Sequence, residues 1–184
     1  MNLCGIDEAG RGPLAGPLVV AGVLLHSTID GLNDSKKLNE KKREALYEKI
    51  ILNSSYHIVS TPSDIIDKIG LSKALKNSIE QIMNNIDADE YLMDGNTSFG
   101  ISTLQHKIKA DATVPEVSAA SILAKVTRDR YMCDLPQEFD KYEFDKHKGY
   151  GTKRHIELIK KYGLSSLHRK SFKLKALEST PTLF

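Results

Sequence analysis

The stretch Leu3-Cys4-Gly5-Ile6-Asp7-Glu8-Ala9-Gly10-Arg11-Gly12-Pro13-Leu14-Ala15-Gly16-Pro17-Leu18-Val19-Val20-Ala21-Gly22-Val23-Leu24-Leu25 decides the fold. Leu3 to Ile6 is short and apolar and leads into glycines, so it reads as a buried strand. Leu18 to Leu25 is an apolar, β-branched run and reads as a second. The connection holds Gly10, Gly12, Pro13, Gly16 and Pro17 and is too short for a crossover helix. The two strands therefore form an antiparallel hairpin. Gly10-x-Gly12-x-x-Ala15 also matches a dinucleotide-binding pattern, with Asp30 twenty residues after Gly10. That pattern must open a helix. Here strand residues follow Pro17, so the match is accidental.

Working outward, His57 to Ser60 reads as a third strand, and Tyr91 to Met93 as a short one ending at Asp94-Gly95-Asn96. Asn39 caps a helix with Leu46, Tyr47, Ile50 and Ile51 on one face. Ser72 is the expected cap of a helix carrying Ala74, Leu75, Ile79, Ile82, Met83 and Ile86. Ser118 is the expected cap of another, carrying Ala119, Ile122, Leu123 and Val126. Thr152 caps a helix with Ile156 and Ile159, stopped by Gly163. A hairpin followed by strand–helix alternation gives an α/β fold, a mixed sheet with helices on its faces.

The chain has 184 residues, 40% hydrophobic and 27% charged, enough apolar material for the core of one domain. No uncharged apolar run approaches the ~18–20 residues of a membrane span, and the N-terminal sequence has no secretory pattern. Cys4 and Cys133 lie far apart without metal-ligand spacing, so free thiols and a cytoplasmic location are expected. Net charge is only +2, but residues 145–184 hold ten Lys/Arg against three Asp/Glu. A basic C-terminal segment beside an acidic remainder fits a phosphate-binding arm. From charge alone, a solvated tail fits better.

Asp7 and Glu8 end an apolar strand. Adjacent strand residues point to opposite faces, so both serve one site only if the backbone turns there, as the following glycines allow. Asp94 projects from the end of another apolar strand, and Asp111 precedes a small-residue stretch. Each alone reads as a turn or cap residue. Converging, the four carboxylates would repel one another unless a divalent cation were present, and Mg²⁺ or Mn²⁺ prefers such oxygen ligands. Two such ions serve phosphodiester hydrolysis. Tyr150, in His147-Lys148-Gly149-Tyr150-Gly151, either lies against a sugar or base or packs over its turn. Lys36, within Asn33-Asp34-Ser35-Lys36-Lys37, is a phosphate contact or part of a polar loop. Lys125, Arg128, Arg169 and Lys170 are phosphate contacts or surface charges. The six histidines lack zinc-like spacing.

The ordered blocks resemble one family. Asp7-Glu8-Ala9-Gly10-Arg11-Gly12-Pro13-Leu14-Ala15-Gly16-Pro17 looks like the opening signature of the bacterial ribonuclease HII family, the type 2 ribonucleases H. Asn33-Asp34-Ser35-Lys36-Lys37-Leu38 and Met93-Asp94-Gly95-Asn96 resemble its next two blocks. Lys109-Ala110-Asp111 with Val117-Ser118-Ala119-Ala120-Ser121-Ile122-Leu123-Ala124-Lys125-Val126-Thr127-Arg128-Asp129 resembles the fourth. His147-Lys148-Gly149-Tyr150-Gly151-Thr152 and His168-Arg169-Lys170-Ser171-Phe172 resemble the last two. The resemblance implies a ribonuclease H-like fold, with a five-stranded mixed sheet flanked by helices. It implies a single catalytic domain over residues 1–184, with a basic helical C-terminal segment from about residue 134. It implies a Mg²⁺- or Mn²⁺-binding active site of Asp7, Glu8, Asp94 and Asp111, a ribonucleotide-reading turn of Gly10, Arg11 and Gly12, and Tyr150 at the RNA–DNA junction.

The implied partners are RNA–DNA hybrids and DNA duplexes with embedded ribonucleotides, with no membrane association and a monomeric state. Ala110 stands where the family often has glycine. Type 3 relatives usually carry lysine in place of Arg11 and a long N-terminal extension, which favours type 2. The competing readings are a non-catalytic nucleic-acid-binding module, disfavoured because all four carboxylates are present, and a nucleotide-binding oxidoreductase, disfavoured by the strand after the glycines. Leu177 to Phe184 carries no convincing clamp-docking motif.

Overall fold

The computed structural model describes residues 2–32 and 38–172. The expectations at Asn33 to Lys37, Lys36 among them, and in the tail from residue 173 lie outside the described residues. Five strands, β1 (Leu3–Ala9), β2 (Leu18–Leu25), β3 (Ser54–Thr61), β4 (Glu90–Asp94) and β5 (Leu104–Lys107), form one sheet in the order β3-β2-β1-β4-β5. β1 and β2 are the expected antiparallel hairpin, whereas β4 runs parallel to both β1 and β5. The sheet is therefore mixed, with β1 at its centre.

Alternation along the strands feeds two cores. On one face Cys4, Ile6, Leu18 and Val20 pack with Ala74, Leu75, Ile79 and Ile82 of α3 (Leu71–Asn85). On the other, Val19, Ala21 and Val23 pack with Ala119, Ile122 and Leu123 of α4 (Pro115–Cys133) and with Leu46 and Ile50 of α1 (Glu40–Leu52). Ile6, Ile79 and Ile82 are fully buried, each contributing about 1.5–3 kcal/mol of transfer free energy. α4 lies directly on β1: a Cβ at Gly5 would stand 2.2 Å from the Glu116 carbonyl carbon. Among the described residues no helix is long and apolar enough to cross a membrane. Both cysteines are free, Cys4 buried and Cys133 exposed.

Several boundaries differ from the sequence reading. The first strand does not turn at the acidic pair. It continues to Ala9, with Asp7 opposite Ala21 and Glu8 opposite Val20, and the chain departs at Gly10 (φ 95°). Ser72 is not a cap, because Gly70 fills that place. Ser118 lies inside α4, which opens on Pro115, and its hydroxyl donates to Leu32 O. Asn39 and Thr152 cap as expected, Thr152 at the start of the helix Lys153–Tyr162. A short helix after β3, α2 (Ser63–Ile69), was not anticipated.

The C-terminal part consists of a 3₁₀ turn (Gln137–Tyr142), α5 (Phe144–His147) and α6 (Lys153–Tyr162). It packs Tyr142, Phe144 and Leu158 against Ala15 and Met132. It also hydrogen-bonds the connection between β1 and β2: Leu14 N to Gly149 O (2.8 Å), Gly16 N to Leu167 O (2.8 Å) and Arg169 N to Leu14 O (2.8 Å).

Candidate active site

The parallel register of β1 and β4 ends at Ile6 opposite Met93, so Asp7 and Asp94 follow side by side, Asp94 at the carboxyl end of β4 and Asp7 near that of β1. Sites in open α/β sheets form at such ends. Lys109 takes a left-handed conformation (φ 59°). This turns the chain so that Ala110 N donates to Asp94 Oδ1 (2.8 Å) and Asp111 enters the interior. Asp7, Asp94 and Asp111 each present an oxygen, all within 4.8 Å of one another. Glu8 stands beside this trio rather than within it. Its Oε1 accepts from Arg11 Nη1 (3.1 Å), and its Oε2 is buried without a hydrogen-bond partner among the described residues.

The electrostatics call for a cation. Burial, and then the neighbouring Glu8 and Asp94 carboxylates, push the Asp7 carboxyl well above the usual range. The Glu8 N–H and Ser121 hydrogen bonds oppose this. Burial also raises Glu8, against the pull of Arg11. Carboxylates gathered this tightly are costly to ionise together. An oxygen-only donor set with a buried, unused carboxylate oxygen nearby fits Mg²⁺ or Mn²⁺.

Glu8 joins the trio to an open cleft of about 410 Å³ lined by Gly10, Arg11, Gly12, Arg43, Ser121, Lys125 and Tyr150. Gly10 is required by its φ and by space, since a Cβ would stand 2.4 Å from Arg128 Nε. At Gly12 a Cβ would meet nothing within 4 Å. Tyr150 is 41% exposed, with Lys125 Nζ 6.0 Å and Arg128 Cζ 5.5 Å from its ring centroid. Lys125 also pairs with Asp129 (2.8 Å).

Arg169 and Arg128 are not the open phosphate contacts expected. They are 2% and 1% exposed, and their guanidinium groups are spent on backbone carbonyls. Lys170 remains exposed. The sequence reading missed Arg43 and Ser121 as cleft residues. The signal for Ser121 was its spacing four residues before Lys125, which puts both on one helix face.

Carboxylates converging at parallel strand ends on a mixed sheet, next to a cationic cleft with an exposed aromatic, define a metal-dependent nuclease of the ribonuclease H-like class. Comparison with known proteins narrows the class. The family model described as Ribonuclease HII matches residues 4–175. The chain is 61% identical to ribonuclease HII of Aliarcobacter butzleri over 178 residues, covering 96% of this chain and 93% of that protein. It is 57% identical to ribonuclease HII of Sulfurovum sp. over 182 residues, covering 99% and 96%. Among solved structures, the PCNA:RNase HII complex from Archaeoglobus fulgidus contains a similar chain (TM-score 0.79, 30% identity, 95% of this chain and 96% of that one). The chain belongs to the ribonuclease HII family.

Proposed function

We propose that residues 1–184 work as a single catalytic domain, an endonuclease that hydrolyses the RNA strand of RNA–DNA hybrids. It also incises duplex DNA on the 5′ side of an embedded ribonucleotide. The observation that carries this reading is the convergence of Asp7, Asp94 and Asp111 within 4.8 Å, one residue from Glu8 and three from the turn that opens the cleft. In this reading Asp7, Glu8, Asp94 and Asp111 hold the divalent ions. Bound there, two such ions supply an activated water for attack on phosphorus and charge stabilisation for the departing 3′ oxygen.

The chain's own groups do the rest. Gly10, Arg11 and Gly12 bring backbone polar groups to the ribose, and Arg11 holds Glu8 in place through the 3.1 Å ion pair. Tyr150 lies against the sugar beyond the scissile bond, with Lys125 toward a phosphate. The phosphorus–O3′ bond breaks and the departing oxygen takes a proton, leaving a 3′-hydroxyl and a 5′-phosphate. The test is end-group analysis of the products with Mg²⁺ or Mn²⁺ and with excess chelator. Undiminished activity in chelator, or a 2′,3′-cyclic phosphate showing attack by the sugar hydroxyl, refutes the reading.

A further inference from the structure

The turn carrying Gly10, Arg11 and Gly12 rests on two buried guanidinium groups. Arg169 Nη2 donates to Gly10 O (2.6 Å) and Gly16 O (2.9 Å), Nη1 to Arg11 O (3.2 Å), and Nε to Gly16 O (3.1 Å). Arg128 holds the far end of the connection, donating from Nε to Pro17 O, from Nη2 to Ala15 O and from Nη1 to Lys148 O. Burial lowers both groups, Arg169 to about 10, so Arg169 remains a cation at neutral pH. Among the described residues neither forms an ion pair with a carboxylate. The segment bearing Arg169 is itself fastened to α2. Asp67 accepts from Lys170 N (2.8 Å), Ser171 N (2.9 Å) and Ser171 Oγ (2.5 Å).

A trans peptide points its C=O and N–H in opposite directions. Drawing the carbonyls of Gly10 and Arg11 onto Arg169 turns the N–H groups of Arg11 and Gly12 away from it, on residues that line the cleft. Among the described residues neither N–H donates to a backbone carbonyl. We propose that Arg169 is a positioning residue for ribonucleotide recognition. It aligns the 10–11 and 11–12 peptides so that their N–H groups meet the 2′ oxygen of the sugar, and it touches no substrate itself. This rests on the reading that the turn tests the ribose. It assigns Arg169 a role distinct from a phosphate contact, whose loss would weaken binding to every duplex alike.

The experiment compares KM for a DNA duplex with one ribonucleotide against KI for the same duplex in all-DNA form, used as a competitor. Neither constant depends on the fraction of active enzyme, so partial unfolding moves neither. Arg169→Lys keeps the charge but loses the planar fork that holds three carbonyls. It is expected to raise KM about tenfold, the scale of one charged hydrogen bond, while KI and its salt slope stay the same. A KI that rises in step with KM, with a salt slope smaller by about one, makes Arg169 a phosphate contact and overturns the proposal. So does a fall in kcat alone, which marks a merely structural role. A wild-type KM no lower than KI overturns the ribose reading, and the proposal with it. If Arg169→Lys does not fold, Asp67→Asn loosens the same segment without touching the turn. It is expected to raise KM selectively about threefold, the scale of one weakened hydrogen bond, and equal changes in KM and KI overturn the proposal there too.

Discussion

Asp7 and Glu8 are neighbours in the chain with unlike surroundings. Asp7 belongs to the carboxylate trio, and Glu8 is held by Arg11 at the mouth of the cleft. That division follows from strand alternation, which the sequence made visible, whereas the length of the strand it did not: the glycines after Ala9 suggested a turn at the pair itself. Arg169 was misplaced for a related reason. In sequence a cation beside Lys170 looks like surface charge, and only the fold shows the Gly10, Arg11 and Gly16 carbonyls gathered around it. Two expectations belong at this scale. Asp94→Asn keeps an oxygen for Ala110 N but removes a ligand charge. Turnover should fall at least about 100-fold, as when one group stabilising transition-state charge is lost. Because a like-charge repulsion is relieved, the Tm should not drop; a lower Tm accompanying the lost activity would assign the defect to folding. Gly10→Ala and Gly12→Ala should separate in the opposite way. The first forces a Cβ onto Arg128 and Pro17 at φ 95° and should cost about 1–3 kcal/mol of stability. The second meets nothing within the chain and should leave the Tm in place while raising KM for a single-ribonucleotide duplex. Equal Tm losses for both would contradict this.

Elements whose ends carry a strong local signal were legible. Asn39 and Thr152 cap as read, because their side chains accept from Lys42 N (2.9 Å) and His155 N (3.2 Å). Ser72 and Ser118 misled because Gly70 and Pro115 lie just upstream, and proline suits the first turn of a helix. β5 was not found from pattern, since Gln105, His106 and Lys107 are exposed and polar, as edge strands tend to be. Of the C-terminal elements, α6 was legible as a helix from Thr152 to Gly163, but α5 was not, and neither was legible as the support of Tyr150. There Ser165 N donates to His168 Nδ1 (2.8 Å), so the His168 proton lies on Nε2 and faces His155 Nε2 (3.1 Å). His155 Nδ1 then donates to Tyr150 O (2.9 Å). His147 stacks on His155 at 4.2 Å, and Phe144 closes the cluster. Burial pushes His155 and His168 down to about 4. In the unfolded chain both titrate near ~6.5, so below that value the unfolded state binds more protons. The stability these groups contribute is complete above pH ~6.5 and is lost as pH falls through about 4. Chemical unfolding at several pH values should show this slope, and His168→Gln should flatten it. An unchanged slope in the variant would show that His168 does not contribute to the acid sensitivity.

For the molecule as a whole, the described part of the basic C-terminal segment, to residue 172, is not an appended arm. It packs Tyr142, Phe144 and Leu158 on Ala15 and Met132, and it carries both the Arg169 brace and Tyr150. Not all of its cations are free for nucleic acid, since Arg169 is buried and both Arg154 and Lys146 pair with Glu143. Truncation at Gly149 should therefore abolish turnover rather than only weaken affinity, with no cleavage even as the substrate concentration is raised. The same architecture makes a prediction about what is cut. If the turn of Gly10, Arg11 and Gly12 reads the ribose as proposed, it can reach only one or two sugars, so a single ribonucleotide should suffice. Tyr150 lines the same cleft as that turn, with its backbone fixed by His155 and its ring beside Lys125 and Arg128. If the ring lies against a deoxyribose as proposed, a 2′-hydroxyl there would crowd it, and a 5′-RNA–DNA-3′ junction should be the preferred site. Tyr150→Ala should slow single-ribonucleotide cleavage about tenfold, within the ~1–3 kcal/mol range of an aromatic contact to a nucleotide. A continuous hybrid offers many registers and should lose less. Wild type and Tyr150→Ala are compared on three duplexes: all-DNA, one ribonucleotide, and continuous hybrid. Equal losses on the last two would remove Tyr150 from the junction. A wild type that cuts only the continuous hybrid would mean that several consecutive sugars must be read, which a single turn facing a single aromatic does not provide.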